Sequence, residues 1–112
     1  MPGDVQVTKA VARVLRAFLE DTARPRYGFE LMRLTGLPSG TLYPNLARLE
    51  SAGWLASMRE DIDPAVAARP ARRMYLINAD AARAARAELA ELSDQLRPPP
   101  VPSSLQPRGS TS

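Results

Sequence analysis

The chain has 112 residues, 45% of them hydrophobic, a net charge of +3 and a pI near 9.9, and it contains neither His nor Cys. That length suits one domain with a small core. The missing residue types exclude disulfides, thiolate and imidazole ligands and a neutral-pH imidazole base, so neither an enzyme nor a metal or cofactor site is expected. No apolar run approaches the ~20 residues of a membrane span, and the N-terminus carries no signal-peptide pattern, so a cytoplasmic protein with no membrane partner is expected.

In chain order, residues 1–7 read as a flexible arm. Thr8 to Asp21 reads as a helix, with Thr8 as N-cap and Val11, Leu15, Phe18 and Leu19 on one apolar face. The segment Thr22-Ala-Arg-Pro25 ends it, because the residue before Pro avoids the α region. A short helix follows over about Gly28 to Thr35, with Phe29, Leu31, Met32 and Leu34 as its apolar set and Gly36 as a left-handed stop. Leu37-Pro38 makes a turn. A third helix starts at Ser39 or Thr41, either hydroxyl serving as cap, and runs to Ala52. Pro44 is tolerated there as a first-turn residue. Leu42, Leu46 and Leu49 define its buried stripe.

Trp54 to Met58 and Arg72 to Ile77 read as two strands, with Met74 and Leu76 on one face and Arg73, Tyr75 and Ile77 on the other. Between them EDIDPAVAARPA is too long for a tight hairpin and reads as a mobile tip. The last helix opens at Asn78, a good N-cap, and runs to about Leu96. Ala82, Ala85, Leu89, Leu92 and Leu96 recur at spacings of 3 and 4 and form an a/d seam. Residues 98–112 are rich in Pro and Ser and read as a disordered tail.

The fold class this implies is mainly α with a small β-hairpin (α+β): a winged helix-turn-helix over residues 8–77 and a dimerisation helix over 78–97. All but one of the 15 basic residues are Arg, which suits bidentate phosphate contact, although compositional bias accounts for such an excess equally well. Position carries more weight. The third helix presents Thr41, Tyr43, Pro44, Asn45 and Arg48 on its polar face, toward the end that enters a major groove in this motif. Asn45, Arg48 and Pro44 are therefore candidates for base contact. Ser39, Thr41 and Tyr43 at the helix start are candidates for phosphate contact, as are Arg59, Arg72 and Arg73 on the ribbon. Arg26 and Tyr27 are weaker ones. The plain alternative is a solvated helix beside a hairpin with scattered Arg, its charge partly cancelled by Glu60, Asp61 and Asp63.

The runs Tyr27-Gly-Phe-Glu-Leu31, Ser39-Gly-Thr-Leu-Tyr-Pro44, Leu46-x-x-Leu-Glu-x-x-Gly53 and Arg72-Arg-Met-Tyr-Leu-Ile77 together resemble the PadR family of transcriptional regulators. The resemblance covers roughly Val11 to Leu92, and its most specific part is GTLYPNLARLESAGWL. A single C-terminal helix resembles the short subfamily. The resemblance implies a homodimer on a palindromic operator, mostly as a repressor, with C-terminal helices and part of the first helix making the dimer. The family tyrosine falls on Tyr43, its proline on Pro44 and the basic strand on Arg72 and Arg73. Two departures stand out. Asn78-Ala-Asp-Ala81 replaces the family's Thr-x-x-Gly, and Trp54 sits where the family has an aliphatic residue. Trp54 reads as core packing, and the last helix has no Trp to stack a planar ligand.

The expected partners are thus double-stranded DNA and a second copy of the chain. Release from DNA would require a small-molecule effector that prefers the non-binding dimer, and the residues identify none. The rival reading is a winged-helix protein-interaction module without specific DNA binding.

Overall fold

The structure, a computed structural model, describes residues 2–96, so the expected tail lies outside the described residues. Helices α1 (Lys9–Leu19), α2 (Gly28–Thr35), α3 (Ser39–Ser51), α4 (Pro64–Ala67) and α5 (Ala79–Leu96) and strands β1 (Arg26–Tyr27), β2 (Leu55–Arg59) and β3 (Arg73–Ile77) follow the order α1-β1-α2-α3-β2-α4-β3-α5. The class is α+β, mainly helical with one antiparallel sheet of order β1-β3-β2. No described helix is long and apolar enough to cross a membrane.

Helix α1 forms as its pattern requires. The Thr8 hydroxyl accepts from the Val11 N–H (3.2 Å), and Val11, Val14, Leu15 and Phe18 are fully buried. It stops at Leu19, earlier than expected, and the Asp21 carboxylate accepts from the Ala23 N–H to start the turn. Strand β1 was not anticipated. Arg26 pairs with Tyr75 and Tyr27 with Met74, so two residues of extended chain between helices complete the sheet. Gly36 closes α2 at φ 71°, donating to the Met32 carbonyl, a position that favours glycine.

Helix α3 departs from expectation at its start. Neither Ser39 nor Thr41 caps it. Pro38 occupies the N-cap, and its carbonyl accepts from the Thr41 and Leu42 N–H groups at 3.0 and 2.9 Å. The helix therefore begins one position before the Ser39 hydroxyl and three before the Thr41 hydroxyl could cap it, and Pro44 falls in its second turn. There its ring removes the N–H that would meet the Gly40 carbonyl. Leu42, Leu46 and Leu49 are fully buried as expected, and with α1, Leu31, Trp54, Leu55, Tyr75 and Ile77 they form the core.

The sheet places β2 and β3 in register from Leu55↔Ile77 to Arg59↔Arg73. Tyr75 and Ile77 face the core while Arg73 is exposed. The connection, expected to be a mobile tip, is folded. Asp63 caps α4 by accepting from the Ala65 N–H, and the Arg69–Glu60 ion pair closes the base of the loop.

Asn78 caps α5, its Oδ1 accepting from the Ala81 N–H at 2.7 Å. Ala82 and Ala85, expected in a dimer seam, instead belong with Ala81 to this domain's own core, because their small side chains let α5 lie close against it. Leu89 packs partly against that core, Leu92 is half-buried and Leu96 is 75% exposed. The arm expected to be flexible is docked: Gly3 N–H donates to the Ala52 carbonyl (2.7 Å), and the Trp54 indole N–H donates to Gly3 (2.6 Å). Val5 and Val7 pack on the core, and Trp54 itself is core as expected.

Candidate nucleic-acid interface

One face gathers aromatic and basic groups from four elements. Tyr27, Phe29, Tyr43, Arg72, Arg73 and Tyr75 line an open cleft of about 380 Å³ where β1, the start of α2, α3 and β3 meet. Gly28 makes this possible. A Cβ there would lie 2.7 Å from the Tyr43 ring Cζ, so only glycine lets that ring rest on the backbone at the start of α2. Tyr43 remains 45% exposed and Phe29 64%. The Arg72 guanidinium stacks over the Tyr27 ring at 4.7 Å, and that of Arg73 lies 5.8 Å from the Tyr75 ring centre. Stacking of this kind holds a long side chain without neutralising it. Burial pushes the Tyr75 hydroxyl above its ordinary value, so it stays protonated and uncharged beside the arginines.

The ribbon adds charge. Arg59 stands directly across from Arg73. Two like charges in that relation repel unless an anion lies between or beside them. Glu50 supplies part of that compensation by pairing with Arg73 at 3.2 Å. Ser57, Met58, Arg59 and Arg73 border a shallow depression of about 200 Å³ beside this pair. Not every basic group of the ribbon is available. Arg69 forks onto Glu60 at 2.7 and 3.1 Å, and with the Arg72 N–H it holds the Glu60 carboxyl down to about 2, ionised through neutral and mildly acidic pH.

Of the residues singled out by sequence, Tyr27, Tyr43, Arg72 and Arg73 come together in the cleft, with Arg59 beside it. Ser39 and Pro44 are exposed on α3, Thr41 is half-buried near its start, and Arg48 is exposed in its last turn. Two candidates are displaced. Arg26 is 5% exposed, its Nη1 donating to Glu30 Oε2 at 2.9 Å with Glu20 at 3.6 Å, so it is not free for a phosphate. Asn45 is 9% exposed and its Nδ2 donates to the Thr41 carbonyl at 2.8 Å, so its amide is already committed to its own helix. Both are polar residues that found partners four positions away along the chain. Reasoning from sequence missed Phe29, assigned there to an apolar set. Its helical position opposite the fully buried Leu31 was the available signal. It also missed Tyr75, Glu50 and Ser57. No described group of His, Cys, Asp and Glu could hold a metal ion.

The arrangement suits a polyanion with flat or apolar parts: exposed guanidinium groups for phosphate oxygens, and exposed rings for sugar or base faces. No family model and no curated protein matches the chain. Its fold is similar to that in the crystal structure of smu.1704 from Streptococcus mutans UA159, with a TM-score of 0.62 over 81% of this chain and 84% of that one at 18% identity. At that identity the likeness concerns the fold.

Proposed function

We propose that the chain is a winged helix-turn-helix DNA-binding regulator of the PadR kind, working in the cytoplasm as a homodimeric repressor. In this reading α2 and α3 are the helix-turn-helix, α3 is the recognition helix and β2–β3 is the wing. The observation that carries it is the convergence on one face of Tyr43 from α3, the Tyr27 and Phe29 rings and the arginines of the ribbon. Pro44 and Arg48 remain the base-contact candidates. Tyr27, Ser39, Thr41, Tyr43, Arg59, Arg72 and Arg73 serve the backbone. In a two-fold dimer, two copies of α3 would enter successive major grooves ~34 Å apart, and a dimer seated on a promoter excludes polymerase.

The test is enrichment of bound duplexes from a random-sequence pool. Wild type should enrich a two-fold symmetric site. Arg48→Ala should bind the enriched site more weakly by about 1–3 kcal/mol and relax preference at one position per half-site. An unenriched pool would turn attention to the rival reading, in which the exposed Phe29 and Tyr43 rings dock a protein.

A further inference from the structure

We infer that Glu50, together with Ser57, is a positioning group that holds Arg73 ready for the DNA backbone. The inference rests on the DNA-binding reading above and adds a role for an acidic residue inside a basic face.

The geometry is a closed three-membered cycle across three elements. Glu50 of α3 receives Arg73 Nη2 at 3.2 Å (Oε1) and 3.4 Å (Oε2). Ser57 of β2 donates its hydroxyl to Glu50 Oε2 at 2.5 Å and accepts from Arg73 Nη2 at 3.0 Å. Every one of these bonds to Arg73 uses Nη2. Nη1 keeps two N–H groups for a further acceptor, such as a phosphate oxygen. The Arg73 side chain is 59% exposed and so stays within reach of a ligand from solvent. The cycle also ties both strands of the ribbon to the C-terminal end of α3, fixing one surface relative to the other.

Two opposite effects follow from a carboxylate at this place. Its charge repels phosphate and partly neutralises Arg73, which weakens DNA binding. Its hydrogen bonds hold Arg73 against the repulsion of Arg59, and they remove rotamer freedom that binding would otherwise have to remove. The positioning effect outweighs the charge effect, because Arg73 is exposed to solvent that screens the carboxylate, while its ordering is local and unscreened.

The experiment measures affinity for a short random-sequence duplex at low salt. Glu50→Ala should weaken binding about fivefold, the cost of ordering one long side chain, although it removes a negative charge from the face. Glu50→Gln keeps an acceptor for both partners and should restore most of the affinity. Ser57→Ala should weaken binding with no change of charge. In an Arg73→Ala background, Glu50→Ala should cause no further loss, and thermal unfolding of each variant separates folding from binding. Should Glu50→Ala strengthen binding, or weaken it equally with and without Arg73, Glu50 is a bystander and the inference falls. If Glu50→Ala does not fold, Ser57→Ala decides: undiminished affinity in that variant overturns the inference. Failure of wild type to bind any duplex overturns the DNA-binding reading along with it.

Discussion

Replacing Glu30 with Ala is expected to lower the unfolding free energy by about 3 kcal/mol. Arg26 and Glu30 are both almost out of solvent, with side-chain exposures of 6% and 9%. Arg26 Nη1 meets Glu30 Oε2 at 2.9 Å, and Arg24 reaches the same oxygen at 3.0 Å from a more exposed position. Removing the carboxylate leaves a guanidinium buried, with only Glu20 as a counter-charge at 3.6 Å, itself 62% exposed. Glu20 keeps the loss at the low end of the range for a broken buried pair. The pair is not fully satisfied even intact, since Arg26 Nε and Glu30 Oε1 find no hydrogen-bond partner.

For that reason replacing both members, as Arg26→Met with Glu30→Leu, should recover most of the stability. Denaturant unfolding of the three proteins checks this. A loss in Glu30→Ala below about 1 kcal/mol would mean that the pair behaves as a solvated one. The pair also sits at the joint between β1 and α2 that carries Tyr27 and Phe29, so the same variant should loosen the aromatic cleft.

The second large effect concerns the far half of α5. If the chain pairs as proposed above, Leu92→Asp should give a monomer that binds an operator about a hundredfold more weakly, because two half-site contacts are no longer linked. Leu92, Ser93 and Leu96 border a groove of about 320 Å³ closed on one side by Arg16 of α1, and Leu96 stands 75% exposed. In the proposed dimer, Leu92 and Leu96 would lie against the same residues of the second copy. The substitution lies beyond the alanines that hold α5 to its own domain, so the monomer should keep its fold. Ala85→Asp, by contrast, would place a carboxylate in the core and unfold the domain. Sedimentation of Leu92→Asp settles the matter, and a stable dimer would remove this strip from the interface.

What the sequence made legible was local and periodic. The stripe of Leu42, Leu46 and Leu49, the left-handed stop at Gly36, the Asn78 cap and the alternation along β3 all rest on residues whose preferences act within one turn or one strand. What it hid was decided by neighbours distant in the chain or by ambiguous side chains. Strand β1 is two residues long and exists only because β3 lies beside it. Arg26 and Asn45 carry groups that ordinarily face water, and burial took them because Glu30 and the Thr41 carbonyl were in reach. Alanine fits a dimer seam and a core contact equally well, so Ala82 and Ala85 could be assigned only once α5 had been placed.

The candidate face was half visible. Tyr27, Tyr43, Arg59, Arg72 and Arg73 are legible as candidates in the sequence, while Phe29, Tyr75 and Glu50 enter through geometry. The seam's last residues show the same limit of pattern, since a helical repeat says which residues share a side and not what covers it.

The most direct measurement is the salt dependence of duplex binding by wild type and by the Arg72→Ala, Arg73→Ala double variant. Wild type should lose affinity steeply and linearly on a log–log scale as salt rises. The double variant should bind every sequence more weakly, with a slope shallower by about two for each copy of the chain engaged. Equal slopes for the two proteins, or wild-type affinity indifferent to salt, would contradict a DNA interface built on this face.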